Sequence, residues 1–141
     1  MSAITENERV QANLPKPLET SKPVSLTDFQ PKSLLEAVNV LVKHTTPEQR
    51  EYIQKHGMSM THFTFGMNIR NAWGLWHDSD LAQHFKNVYG LGHADDMSGM
   101  ILSAYEADIR GTGFDSEAKA QYYKDYWRKQ GIDPLTLKRV A

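Results

Sequence analysis

The 141-residue chain contains no cysteine, which excludes disulfides, zinc–thiolate sites and a cysteine nucleophile. That absence fits a reducing compartment. Charge of one sign is also lacking: 16 Lys and Arg stand against 17 Asp and Glu. No global field therefore draws the chain to nucleic acid or to anionic lipid. No apolar run approaches the roughly 20 residues that a membrane-spanning helix needs. The first residues carry Glu6 and Glu8 and no apolar stretch of signal-peptide length, which argues against secretion by that route. A cytoplasmic protein without a membrane contact is expected. Catalytic signatures are missing as well. There is no G-x-S-x-G elbow, and Gly90-Leu-Gly92 lacks the lysine and the preceding strand of a phosphate loop. No segment shows strand-like alternation, and no repeat is visible.

What is present has the composition of one soluble globular domain, 40% hydrophobic and 23% charged. Residues 1–31 are polar and interrupted by Pro15, Pro17, Pro23 and Pro31. They read as an extended or disordered arm, with Val24–Phe29 the part best suited to dock. Residues 32–141 read as the helical domain. Ser33 and Glu36 have capping-box spacing before a helix that ends near His44, with Leu34, Leu35, Val38, Leu41 and Val42 on its apolar side. Thr46, Pro47 and Gln49 open a second, short helix that stops at Gly57. Next comes the aromatic-rich stretch Thr61–Trp76. His62, Phe65, Ile69, Trp73 and Trp76 fall on one helical side and Met60, Phe63 and Met67 on the other. A helix apolar on two sides is expected to be the central one. Gly66 within it implies a close neighbour, and Gly74 ends it.

Asp78-Ser-Asp80 caps the next helix, with Leu81, Phe85 and Val88 on one face and Gly90 and Gly92 as stops. His93-Ala-Asp-Asp-Met-Ser98 has the form of a helix entrance, with Asp95 and Asp96 in the first turn, where the helix dipole favours negative charge. Gly111 is placed as its left-handed C-terminal residue. Asp115 caps a last long helix that carries Tyr122, Tyr123, Tyr126 and Trp127, and Asp133-Pro134 begins a final turn before Lys138 and Arg139. The fold class expected is all-α: a single compact domain of five or six helices with an extended N-terminal arm.

Two groups of residues are candidates for function. The first is a polar junction of Arg70, Asn71, His93, Asp95 and Asp96. Arginine is rarely buried unpaired, so Arg70 is expected to bridge to Asp95 or Asp96, with Asn71 bonding free loop backbone. The competing reading is an anion site in which the guanidinium forks a carboxylate or phosphate. His77 and Asp78 would extend the set toward a metal cluster, yet no helical ligand spacing joins them, so no metal and no cofactor is expected. Ser98 reads as a helix residue bonding the preceding turn. The second group is Tyr122, Tyr123, Tyr126 and Trp127, interleaved with Lys119, Lys124, Arg128 and Lys129. Basic–aromatic interleaving also marks stacking platforms for single strands, but Glu117 and Asp125 dilute the charge, and nucleic acid is the weaker reading. Four large aromatics on about two turns cannot all enter a small core. Exposed Tyr and Trp are common interface anchors.

The string Arg70-Asn-Ala-Trp-Gly-Leu-Trp76, followed by Gly92-His-Ala-Asp-Asp-Met-Ser98, resembles a group of small uncharacterised bacterial domains. Those share an R-N, an L-W and an H-P-D-D-M-S element at similar spacing, and the likeness covers roughly residues 60–110. Ala94 stands where that group has proline, which would suit a first helical turn. The resemblance implies a helical domain in which these elements meet, and it implies no activity. From the residues, the expected function is non-enzymatic binding of another protein, in the manner of an inhibitor, immunity protein or adaptor of bacterial or phage origin. The alternative is a small-molecule or nucleotide-binding protein, whether an enzyme or not, with its site around Arg70, His93, Asp95 and Asp96. Self-association is compatible with either.

Overall fold

The computed structural model describes residues 25–57 and 62–140, with side chains from Phe65 onward in the second stretch. The arm before Ser25, and the side chains of Met60, His62 and Phe63, lie outside the described residues. Among the described residues there are six helices and no strand: α1 Leu34–Lys43, α2 Pro47–His56, α3 His62–Ala72, α4 Asp80–His84, α5 Ala94–Arg110 and α6 Ser116–Lys129. The protein is all-α. One isolated bridge pairs Ile132 with Arg139.

Apart from α3, whose entrance lies outside the described residues, the helices begin where side chains relieve their free N–H groups. Ser33 Oγ accepts from Glu36 N at the start of α1, while Glu36 Oε1 accepts from Lys32 N, one residue earlier than a reciprocal box would have it. Thr46 and Gln49 exchange both bonds at α2. Ser79 caps α4 and Asp115 caps α6. Gly57, Gly74, Gly90 and Gly111 all take positive φ at the ends of their segments. Residues 25–31 sit against the body. The indole N–H of Trp73 donates to the Leu26 carbonyl at 2.9 Å, and Phe29 meets His44 with ring centroids 4.6 Å apart.

The central helix is α5, not the aromatic-rich α3 that the residue pattern favours. Met97, Met100, Ile101, Leu102 and Tyr105 of α5 are all completely buried, and α1, α2, α3 and α6 pack around it. Each such side chain contributes roughly 1.5–3 kcal/mol by leaving water. Helix α3 buries Phe65 and Ile69 but leaves Met67 exposed. It also ends at Ala72, so the turn that follows carries Leu75 inward and Trp76 outward; Trp76 does not continue the core face of Ile69 and Trp73. After α4 the chain widens into a π turn, Phe85–Tyr89. A π turn rotates later residues away from the α-helical face. Phe85 is therefore buried with Leu81 while Val88 is exposed, contrary to their common spacing.

A polar clasp ties α1 and α2 to the centre. The Tyr105 hydroxyl lies 2.6 Å from Thr45 Oγ1, which itself bonds the Leu41 carbonyl. Burial pushes the Tyr105 phenol up to about 12, so it stays protonated and able to donate. At the other end, Gln54 Nε2 donates to the Ile109 carbonyl and Arg110 to that of Ile53.

Candidate functional site

Arg70 leaves the last turn of α3 and crosses to the entrance of α5. Its NH1 donates to Ser98 Oγ at 2.9 Å, and Ser98 in turn donates to the Asp95 carbonyl at 3.1 Å. Arg70 Nε lies 3.3 Å from Asp95 Oδ1, close enough to pair but not aligned as a hydrogen bond. The guanidinium carbon stands 5.9 Å from the centre of the Trp76 ring. The arginine side chain is only 12% exposed while that of Asp95 is 60% exposed, so the pair straddles the surface. Gly66 makes this possible: a Cβ there would sit 3.0 Å from Arg70 NH1, in contact also with Ser98 and Leu102. Asn71 is one residue on, about 100° around the helix, and is exposed away from this set.

His93 caps α5 with its ring rather than with a short side chain. Its Nδ1 accepts from Asp95 N at 3.0 Å, which puts the ring proton on Nε2. The 3.9 Å separation of that same nitrogen from Asp95 Oδ2 carries little attraction while Nδ1 is unprotonated. The imidazole stacks on Trp127 of α6, with centroids 5.5 Å apart and planes at 26°. On its other side Trp76 meets it edge-on at 5.7 Å. The Trp127 indole N–H donates to Asp96 Oδ2 at 2.8 Å, and Tyr126 packs edge-on against Trp127. Asp96 is 7% exposed. Desolvation raises its pKa, and the Trp127 bond opposes that rise.

These contacts assemble a ridge: Trp76, His93, Trp127 and Tyr126 in continuous ring contact, with Trp76 53% and Tyr126 52% exposed at its two ends. The two groups of residues singled out by sequence thus meet at one place. Tyr123 lies farther in, its ring over Gly99, where a Cβ would collide with the hydroxyl. Burial pushes that phenol up to about 12. Tyr122 is exposed on the flank, with Lys119 Nζ 5.1 Å above its ring.

The C-terminal turn completes the surface. Gly92 N donates to the Pro134 carbonyl at 2.9 Å, and a Cβ on Gly92 would fall on the Leu135 carbonyl. Gly92 is thus a seat for the chain end rather than a helix stop; only Gly90 has the positive φ of a stop. Asp133 accepts from the N–H groups of Leu135 and Thr136, which hold its carboxyl below the usual range. Between this turn and the ridge lies an open cleft of about 540 Å³, bordered by Trp76, His77, Asp78, Lys86, His93 and Leu137. Arg70, Asp95 and Asp96 are not in its lining, and Lys86 is paired with Asp78 at 2.7 Å. Among the described residues no three His or carboxylate side chains converge as metal ligands would.

Spacing gave Trp76 a core-facing place and Gly92 the role of a helix stop, and it did not single out Gly99 or Leu137. The glycines carry a signal of a kind, since a small residue within or beside a helix invites close approach; what approaches comes from 24 to 43 residues farther on, beyond the reach of local pattern.

The site is that of a small all-α protein whose aromatic ridge is built across the entrance of its central helix. Residues 30–108, more than half of the chain, match a family described as a domain of unknown function, DUF6794, and the chain belongs to that family. No curated protein and no solved structure matches it. The family segment includes α1 to α4, most of α5, Arg70, Trp76 and His93; α6 and the C-terminal turn lie beyond it.

Proposed function

We propose that this protein is a non-enzymatic helical binder of another protein, an inhibitor, immunity protein or adaptor working in a bacterial or phage-infected cytoplasm. The observation that carries the proposal is the ridge itself. Trp76 and Tyr126 stand half exposed, yet the rings between them are already held, His93 by its capping bond and Trp127 by Asp96. Aromatic anchors fixed before binding lose little freedom on contact, which is what makes them effective at interfaces. The small-molecule alternative draws less support, because Arg70 is engaged with Ser98 and Asp95 and does not border the cleft.

The test is affinity capture from native lysate with the wild-type chain and with Trp76→Ala and Tyr126→Ala. Both variants should keep wild-type helicity and lose a specific partner. A partner list unchanged by either substitution overturns the proposal.

A further inference from the structure

The end of the chain carries a charge that the rest does not. Residues 119–141 hold six cations against two carboxylates, whereas the first 118 residues hold ten against fifteen. The fold gathers these cations. Asp133 N bonds the Lys138 carbonyl, Val140 N bonds that of Gly131, and Ile132 pairs with Arg139. The tail is thereby folded back beside Arg128 and Lys129 at the end of α6. Both local carboxylates are occupied, Asp125 by Gln121 and Asp133 by two backbone N–H groups and the facing charge of Arg128. Among the described residues, Lys124, Lys129, Lys138 and Arg139 form no ion pair. Arg128 and Lys129 also suit the negative end of the helix dipole. That accounts for two cations of the last turn, not for Lys124 or for the two held on the tail.

Set among these charges are exposed apolar side chains: Tyr126, Leu135, Leu137 and Val140. We infer that the partner presents an acidic peptide segment bearing apolar side chains, docked across the α6 end and the C-terminal turn beside the ridge. This rests on the protein-binding reading above and adds the partner's chemistry. A polypeptide fits better than a nucleic acid strand, although both are attracted by cations. Bases need free ring faces. Here Trp127 is stacked on His93, and the faces of Tyr122 and Tyr123 are approached by Lys119 Nζ at 5.1 and 5.4 Å. Among the described residues that leaves Tyr126 as the one ring of α6 with neither a stacked ring nor a cation over it, too few for successive bases. Leucine and valine offer no ring to stack on, but they suit apolar side chains.

The experiment pans a phage-displayed random 12-mer library on the full chain, on the charge-reversed variant K129E/K138E/R139E and on Y126A/L137S, each first checked for wild-type helicity. Enriched peptides should combine Asp or Glu with Leu, Phe or Trp. As fluorescent peptides they should bind the charge-reversed variant roughly 10-fold more weakly, and bind the wild type more weakly in high salt. Peptides without acidic excess, or binding indifferent to charge reversal but lost in Y126A/L137S, would overturn the inference and leave the protein-binding reading standing. Binding unaffected by both variants would count against both. Failure to enrich any peptide overturns the inference alone, and so does a labelled dT15 strand that binds at least as tightly as the best peptide.

Discussion

The junction around Arg70 and the lobe formed by α6 and the C-terminal turn use similar residues to opposite ends. At the junction, polar atoms are turned inward and met: Arg70 by Ser98 and Asp95, Ser98 by a carbonyl, His93 by the first turn of α5. In the lobe, α6 buries only Ala120 fully, rests Tyr123 and Trp127 on α5, half-buries Lys119 and Lys124, and leaves Tyr122, Tyr126, Arg128 and Lys129 in water. A polar group taken out of water must find a partner in the fold, so the junction reads as a structural pin. Side chains left exposed without such partners remain available to another molecule. The junction lies inside the family segment and the lobe outside it, so the device that holds the domain and the surface proposed to recognise a partner are separable along the chain.

Substitutions should divide accordingly. The largest effect is expected from Arg70→Ala, which takes from buried Ser98 the donor it accepts from, leaves a hole beside it and removes the polar link between α3 and α5. Breaking a fully buried pair costs about 3–5 kcal/mol, and the exposure of Asp95 lowers this to about 2–3 kcal/mol, measured by urea titration. Arg70→Lys should not restore it, since an ammonium cannot replace the fork. A loss below about 0.5 kcal/mol would mean that Arg70 is no pin. Gly99→Ala comes next. The added methyl displaces Tyr123 from α5 and should cost about 1–3 kcal/mol, with the loss of α6 protection in hydrogen exchange exceeding that of α1. Uniform loss across both helices would show that lobe and domain are not separable.

Asp96 joins the two regions and should reveal itself by pH. Burial raises its folded-state pKa above the unfolded value of 3.8, so the folded chain holds this proton more tightly. The stabilisation is fully present below the unfolded pKa and is lost as pH rises through the raised folded one. Asp96→Asn keeps an acceptor for Trp127 without the buried charge. The variant's stability relative to wild type should therefore increase from pH 4 toward neutral; a difference that does not change with pH would remove the argument. Smallest in stability is Tyr126→Ala, within about 0.5 kcal/mol of wild type, although partner capture should fall sharply. A large stability loss would place Tyr126 among the structural residues instead.

Much of the helix layout was legible locally. Ser33, Thr46 with Gln49, Ser79, His93 and Asp115 each act on N–H groups within three residues, and Gly111 stops α5 by its own left-handed backbone. A bridge from Arg70 to Asp95 or Asp96 was legible too, because a buried cation calls for a carboxylate, and the fold chooses Asp95. The wrong expectations concern faces rather than ends. Trp76 and Val88 continue an apolar period, but the chain leaves the α-helix before Trp76 and widens into a π turn before Val88, so the period no longer counts faces.

The sequence by itself determined an all-α chain, the caps and stops of its helices, and the excess of cations near its end, because each depends on groups a few residues apart or on composition alone. Only the tertiary structure decided that α5 is the centre, that Gly92 and Gly99 are seats for Leu135 and Tyr123, and that His93 and Asp96 receive Trp127 to make one ridge from two distant segments. Those outcomes depend on which surfaces meet after the helices have formed, and packing between groups dozens of residues apart leaves no period in the sequence to read.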